Sequence, residues 1–359
     1  MSSPSNPSSS RSSPASHRWA WLIGLAVTAL LLAWVLHGVN ARAVMAYARG
    51  ADPLLLLAAV ALATATFPLR TIRWRLMLRD AEGRGFAWLP LWHATAIGFM
   101  ANNLLPARAG EVARAYVATR QLPVRFTTAL GSVGVERVFD ALVMLALMAV
   151  AIAAPSFPAN TLVQGRSLAG LATAAAALFG AILLFALIVV HRPAPWLALL
   201  DRVTHRLLPT RLAERLTHLA VGIVDGLAVL KSPARFAGVV AWSLVLWGVN
   251  AAAFAVCFRA FGLDLPLEAA LLLQGIIGFG VAVPSTPGFV GVFEAATRIT
   301  LGVYAVDPSR AVSYALTYHL TTFLPITLLG LWSLSRLHLR LGELRAGNRE
   351  GGEGGGAGA

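Results

Sequence analysis

The chain has 359 residues, 57% of them apolar and only 13% charged, about half the charged share of an average soluble domain. The apolar residues fall in long runs broken by Arg-rich stretches, which excludes a soluble globular enzyme, a disordered chain and a disulfide scaffold; the single cysteine, Cys257, can form no internal disulfide. The net charge of +13 comes from arginines, Lys231 being the sole lysine. They lie between the apolar runs and not on one compact basic face, which argues against a nucleic-acid partner.

In chain order, residues 1–18 are rich in Ser and Pro and read as a disordered tail. The run from Trp19 follows Arg11 and Arg18 and resembles a signal peptide, but its length and the spans behind it favour an uncleaved first helix. Eight apolar segments are expected, at about 19–37, 54–69, 88–105, 128–154, 167–190, 237–258, 267–283 and 311–334, each near the length that matches a bilayer core. Residues 338–359 are Gly-rich and read as a second tail. The fold class is all-α, a polytopic helical membrane protein.

Segments three and seven differ from the others. The third runs into Asn102, Asn103 and Pro106, with Gly110 behind; the seventh runs into Pro284, Pro287 and Gly288, with Gly291 behind. Pro and Gly beside polar backbone break a helix, and broken helix at membrane depth survives only inside protein or beside water. The positive-inside rule tests how these segments sit. If all eight cross, basic residues divide 13 inside against 15 outside; if the third and seventh re-enter, they divide 22 against 6. The re-entrant arrangement wins, with both termini cytoplasmic. Each half, 19–154 and 167–337, then reads span, span, re-entrant hairpin, span, and the halves are inverted. Paired, interrupted segments in corresponding positions point to a transport site. The stretch 192–235 carries Leu212, Leu216, Leu219 and Ile223 on one helical stripe. It reads either as a basic amphipathic helix on the inner leaflet or as a packed helix between spans.

Three polar groups stand out. Arg108, Glu111 and Arg114 are spaced three apart after the Asn103–Pro106 break and share one helix face. Arg suits phosphate because its planar fork binds two oxygens. Glu136, Arg137 and Asp140 form a polar stripe opening segment four, where ionisable residues are costly and default to function or to a self-satisfied ion pair. Glu294 follows Pro287, Gly288 and Gly291 in the second hairpin, and His319 lies well inside segment eight, where a lone His is more often a packing hydrogen bond than a proton carrier. Nucleotide-binding, zinc and hydrolase motifs are absent, so no cofactor, no metal and no catalytic residue is expected, and the chain is read as not an enzyme.

Taken in order, Arg73-Trp74, Asn103-x-x-Pro106-x-Arg108-x-Gly110-Glu111-x-x-Arg114, Glu136-Arg137-x-x-Asp140 and Pro284-x-x-Pro287-Gly288-x-x-Gly291-x-x-Glu294 resemble the lysylphosphatidylglycerol synthase transmembrane family, the flippase-like integral membrane proteins. The resemblance covers about residues 19–337. Glu111 stands where Asp is common, and Phe289 where a second Gly is common. The resemblance implies a bacterial inner-membrane protein that moves a phospholipid, such as aminoacylated phosphatidylglycerol, between leaflets without its own ATPase, with membrane phospholipids and a separate lipid-modifying enzyme as partners. No synthase half is expected after residue 337. On this reading Arg108, Arg114 and Arg137 meet phosphate, Glu111, Glu136, Asp140 and Glu294 meet a cationic group, and Asn103 is a further substrate-binding residue. Pro106, Gly110, Pro284, Pro287, Gly288 and Gly291 shape the hairpins. The alternative is a membrane-embedded transferase or accessory subunit acting on a lipid-linked substrate.

Overall fold

The structure, a computed structural model, describes residues 14–80, 82–105, 109–158, 162–163, 166–167, a few positions between 177 and 189, 192–226, 232–281 and 286–344. Most of segment five, the turn residues Pro106, Arg108 and Pro284, and the outer parts of both tails lie outside these residues.

The described chain is almost entirely helical. Its only departures toward strand are a two-residue ladder, Leu162–Val163 with Arg166–Ser167, and a bridge between Arg79 and Gly85. Helix α1, Pro14–Leu36, reaches into the segment read as tail, and α2, Ala41–Gly50, follows it at an 84° bend. Asn40 sets that bend by accepting from the backbone N–H groups of Arg42 and Ala43 at the start of α2. Among the described residues three helices are long and apolar enough to cross a bilayer, or four if α1 and α2 form one bent span: α3, Pro53–Met77; α9, Pro233–Ala260; and α12, Pro308–Arg336. Each begins with Pro in its first turn behind Asp52, Ser232 or Asp307, whose side chain takes up a free N–H. Helix α6, Phe126–Ala153, is 28 residues long but carries Glu136, Arg137 and Asp140 at its middle.

Segments three and seven fold as helical hairpins. Helix α4, Trp88–Leu104, is followed by α5, Ala109–Gln121; α10, Leu267–Gly280, by a 3₁₀ turn at Pro287–Phe289 and α11, Val292–Val303. These arms have 17, 13, 14 and 12 residues, at or below the lower limit for a span. Helices α4 and α5 run antiparallel, with Gln121 reaching the Pro90 carbonyl and Gly98 against Gly110. A side chain on Gly110 would collide with the Gly98 carbonyl and with Asn102, so the two arms meet at backbone distance only because both positions are Gly. At the second tip, Gly288 and Gly291 take φ of 74° and 85°, conformations that Gly adopts without strain. Phe289 takes φ 59°, the left-handed region an L side chain enters at a cost.

The two halves pack on one another as equivalents. Helix α3 lies along α9, antiparallel: the Asp52 N–H donates to the Ala260 carbonyl at 2.8 Å at one end, and Leu76 approaches Gly238 at the other. The first hairpin's α4 packs against α12, and the second hairpin's α10 packs against α6. Because the corresponding helices α3 and α9 run in opposite directions, the repeats are inverted. Two apolar cores follow. One gathers Trp74, Leu91, Ile97, Met100 and Phe139 around the first hairpin; the other gathers Phe254, Phe258, Leu272, Leu301 and Tyr314 around the second. Leu344 is buried in the first, so the chain beyond 337 is in part ordered. Outward residues Leu54, Leu57, Leu244, Leu320 and Leu328 are exposed, an apolar belt of the kind a bilayer covers. Helices α7, Pro193–Leu207, and α8, Thr210–Gly226, pack on each other, and α8 also packs along α6. Of the two readings of this stretch, the fold favours the packed helix.

Candidate functional site

The site forms where α3, α5, α6 and α9 meet. The turns of α3 place Arg70 and Arg73 three apart, on the face toward α6. Helix α6 answers with Glu136 and Asp140 on one stripe. All four are buried, with Arg73 and Glu136 at 0% exposure. Arg73 Nη1 donates to Asp140 Oδ1 at 2.6 Å and to Ser243 Oγ of α9 at 2.9 Å. Trp247 of α9 donates to the same Asp140 oxygen at 3.0 Å, and Arg70 reaches the other at 3.4 Å. Glu136 lies 2.8 Å from Arg137 Nη2, 3.0 Å from Arg114 Nη1 and 3.2 Å from Arg73 Nη2. Arg114 also stacks on the Trp74 ring at 3.9 Å, and Arg70 lies 4.9 Å from Trp247 and 5.2 Å from Phe99, aromatic faces that favour a cation.

Among the described residues, the guanidinium groups of Arg70, Arg73, Arg114 and Arg137 cluster with the carboxylates of Glu111, Glu136 and Asp140. Their bonding is incomplete. The Nε atoms of all four arginines, with Nη2 of Arg73 and of Arg114, are buried without a hydrogen-bond acceptor among the described residues. Arg73 and Arg114 lie close to Glu136, but off the line of a hydrogen bond in part. Glu136 Oε2 also lacks a partner there, and of the unpaired donors, which are costly to bury, those of Arg70 and Arg137 belong to residues on the cavity wall, where an acceptor-rich anion would meet them.

Arg70, Arg137, Asp140, Glu111, Asn102 and Asn103 line a cavity of about 490 Å³. The second half contributes Asn250, Gln274, Tyr318, His319 and Thr322 to the same lining, with the aromatic rings of Phe254 and Phe293. Asn250 donates to Gln274 at 3.2 Å. His319 has an acceptor against each ring nitrogen, Glu294 Oε1 at 2.6 Å from Nδ1 and the Gly288 carbonyl at 2.8 Å from Nε2. The second Glu294 oxygen accepts from the Gly291 N–H at 2.6 Å. His319 thereby ties the tip of the second hairpin to α12.

The residues singled out in the sequence divide three ways. Asn103, Glu111, Arg137 and Asp140 reach the cavity wall; Asn103 also donates to Thr327 Oγ1 of α12 at 2.9 Å, bridging the halves. Arg114, Glu136 and Glu294 lie behind the wall, buried. Arg108 lies outside the described residues. Asn102 accepts from the Gly110 N–H at 2.9 Å and so holds the first hairpin's tip. Sequence reasoning missed Arg70, Ser243, Trp247, Asn250 and Gln274 as site residues. The Arg70-x-x-Arg73 spacing is a usable signal, and Arg73 with Trp74 carries part of the family resemblance, but neither arginine stands inside an apolar run where a charge would draw notice. Nothing in the sequence marks Ser243 or Gln274.

An all-α polytopic membrane protein with inverted repeats and a charged cavity between them defines the class. The chain belongs to the lysylphosphatidylglycerol synthase TM region family, whose model matches residues 21–330, and is a multi-pass membrane protein of lipid metabolism. It is also 28% identical over 329 residues to a protein named Glycosyltransferase AglD from Haloferax volcanii, covering 82% of this chain and 51% of that protein. The chain thus spans about half the length of the relative it matches. This corrects the expectation that the chain is not an enzyme: a protein named a transferase aligns with most of its length at 28% identity, and the absence of short catalytic motifs was too weak a ground for that exclusion.

Proposed function

We propose that the chain takes the phosphate-bearing headgroup of a lipid into the cavity between its halves and carries it between leaflets, in the service of a lipid-linked group-transfer reaction. The carrying observation is the charged part of the cavity wall: Arg70 and Arg137 line it, and the Nε of each is buried without a hydrogen-bond acceptor among the described residues. Arg binds phosphate through paired N–H groups. The inverted hairpins support movement, since such repeats place binding sites at their interface. The partners in this reading are membrane phospholipids and a lipid-modifying enzyme, on a separate chain or linked. The setting is the inner membrane of a bacterium, with both termini cytoplasmic.

A second reading has the chain take part in the transfer itself, as a membrane-embedded transferase. The glycosyltransferase name of the relative favours it. One experiment separates the two. Purified protein in vesicles is given fluorescent phosphatidylglycerol, and the share reduced by external dithionite is followed. Translocation predicts that the protected inner-leaflet half becomes accessible with the parent. With Arg137→Lys, which keeps the charge but not the fork, the rate should fall about 10- to 150-fold, the equivalent of one charge-assisted hydrogen bond. No movement above empty vesicles, with sugar incorporated into lipid when a glycosyl donor is added, would replace the first reading by the second.

A further inference from the structure

We infer that His319 and Glu294 form a proton-binding site that latches the second hairpin to α12, so that the hairpin loosens as the pair gives up a proton to the cavity. The inference rests on the contacts of the hairpin tip and holds whatever headgroup the cavity takes.

Inside a span a lone His is more often a packing hydrogen bond, but His319 is not alone. Its Nδ1 lies 2.6 Å from Glu294 Oε1 and its Nε2 lies 2.8 Å from the Gly288 carbonyl. Turning the ring over would put ring carbons in place of the nitrogens, closer to oxygen than carbon packs, so the geometry fixes both nitrogens against oxygens. A carbonyl only accepts, so the contact at Nε2 needs a proton on that nitrogen. The contact with Glu294 needs a second proton, on Nδ1 or on the carboxyl oxygen. The pair therefore holds two protons, as imidazolium beside carboxylate or as neutral imidazole beside carboxylic acid. Both forms are neutral as a pair, and both make the two bonds. The other Glu294 oxygen accepts from the Gly291 N–H at 2.6 Å in either form.

Taking one proton away leaves one negative charge on the pair and one proton for two contacts. If that proton stays between Glu294 and Nδ1, the Nε2 lone pair faces the Gly288 carbonyl. If it stays on Nε2, the Nδ1 lone pair faces a carboxylate. Both oxygens belong to the second hairpin, one in its 3₁₀ turn and one on α11, so either outcome cuts a bond between that hairpin and α12. The tip is under tension already: Phe289, beside Gly288, takes φ 59°, which costs an L side chain. The leaving proton has a path, because His319 and Gly288 both line the cavity.

The other charged and titratable groups near the pair sit elsewhere on the cavity wall or turn away. Arg70 of α3, Glu111 of α5, and Arg137 and Asp140 of α6 line the cavity within their own cluster. Tyr318 adjoins His319 on α12 and is buried. Arg298, one turn on from Glu294 in α11, donates to the carbonyls of Trp34 and His37 at the end of α1. Helices α4, α9 and α10 bring the neutral Asn102, Asn103, Asn250 and Gln274 to the lining, and α1 meets the tip through Thr28.

The test is amide hydrogen exchange of the purified full chain in detergent, corrected for the intrinsic effect of pH. It is run at about pH 5.5 and about pH 8.5, on either side of the range in which imidazoles change charge. The two bonds are complete at low pH, and one is lost as pH rises. Amides of α11 should therefore exchange roughly 10- to 150-fold faster at the higher pH, the equivalent of one charge-assisted hydrogen bond, while those of α5 in the first hairpin should not. Glu294→Gln separates a proton site from a packing contact. Its amide oxygen keeps the Gly291 N–H, its NH₂ donates to Nδ1, and Nε2–H keeps the Gly288 carbonyl. Every contact is then made without the extra proton, so α11 should stay protected at both pH values. His319→Gln makes at most one of the two bonds and carries no titratable proton, so α11 should exchange fast at both; if that variant does not fold, the parent and Glu294→Gln decide. Equal corrected exchange of α11 in the parent at the two pH values overturns the inference. So does a Glu294→Gln hairpin that loosens with pH as the parent's does.

Discussion

Asp140→Asn tests the ion cluster most directly, because the change alters charge with little change of size. In the native site one Asp140 oxygen takes Arg73 at 2.6 Å and Trp247 at 3.0 Å, and the other faces Arg70 and Arg137 at 3.4 Å. The carboxylate is 2% exposed, so water does not replace what is lost. The Asn oxygen can keep Arg73 and Trp247. Its NH₂ then points at two guanidinium groups, and the cluster holds four cations against two anions. Breaking one side of a buried ion pair costs about 3–5 kcal/mol, which at about 2 °C per kcal/mol for a large chain is a fall of roughly 6–10 °C in apparent Tm. The assay is thermal unfolding of the purified protein in detergent. As a control, Arg84→Ala breaks the Asp80–Arg84 pair, whose arginine side chain is 74% exposed; it should cost at most about 1 kcal/mol. Adding Arg70→Gln to Asp140→Asn restores part of the balance and should recover stability, giving a coupling of about 0.5–3 kcal/mol. If Asp140→Asn stays within about 1 kcal/mol of the parent, by the rule for buried pairs, or if the double change only adds the two losses, the cluster is not a mutually dependent network and the reasoning is wrong.

Gly110→Ala should push α5 off the Gly98 carbonyl and cost about 1–3 kcal/mol, whereas Gly134→Ala, with open space around its Cβ, should be neutral or stabilising in a helix; thermal unfolding of both compares them. At Phe289, whose φ is 59°, Asn should be more stable than Val by about 1 kcal/mol, since both remove the ring and only Asn tolerates that backbone; equal melting temperatures would remove the strain argument. In a Cys257→Ala background, single cysteines at Arg120 and Arg206 should react with an impermeant maleimide only from the cytoplasmic face, and one at Gly165 only from outside. Labelling of position 120 from outside would mean that the first hairpin crosses the membrane.

The helices and the inverted arrangement were legible because they depend on composition. Apolar runs near 20 residues, Pro behind Asp52, Ser232 and Asp307, and the distribution of Arg are one-dimensional signals. The hairpins were legible at their tips, where Asn102, Gly110, Gly288 and Gly291 meet backbone demands that few residue types satisfy. The cluster was half legible. Glu136 and Asp140 announce themselves as acids inside an apolar helix, but their partners do not. Arg70 and Arg73 end an apolar run, where arginine is expected from topology alone; only the α3–α6 packing turns them inward. Glu294 and His319 were each visible, yet their pairing across 25 positions follows from the way α11 folds back against α12. Gln274 was invisible, since one Gln in an apolar helix carries no spacing to read.

The repeat is symmetric in its helices and asymmetric in its chemistry. Helix α3 brings Arg70 and Arg73 to the cavity region, while its antiparallel counterpart α9 brings Ser243, Trp247 and Asn250. Helix α6 brings Glu136, Arg137 and Asp140; its counterpart α12 brings Tyr318, His319 and Thr322. A purely structural ion network would be expected to be self-neutralising and fully bonded, because unpaired buried donors cost free energy and add nothing to stability. Among the described residues this one is not fully bonded: six arginine N–H donors lack an acceptor, those of Arg70 and Arg137 on residues of the cavity wall, and Glu136 Oε2 lacks a donor. Folding alone gives no reason to keep unpaired groups beside a cavity of about 490 Å³ that the second half lines with amides and aromatic rings. An anionic group entering the cavity would give the Arg70 and Arg137 donors the acceptor that the protein withholds.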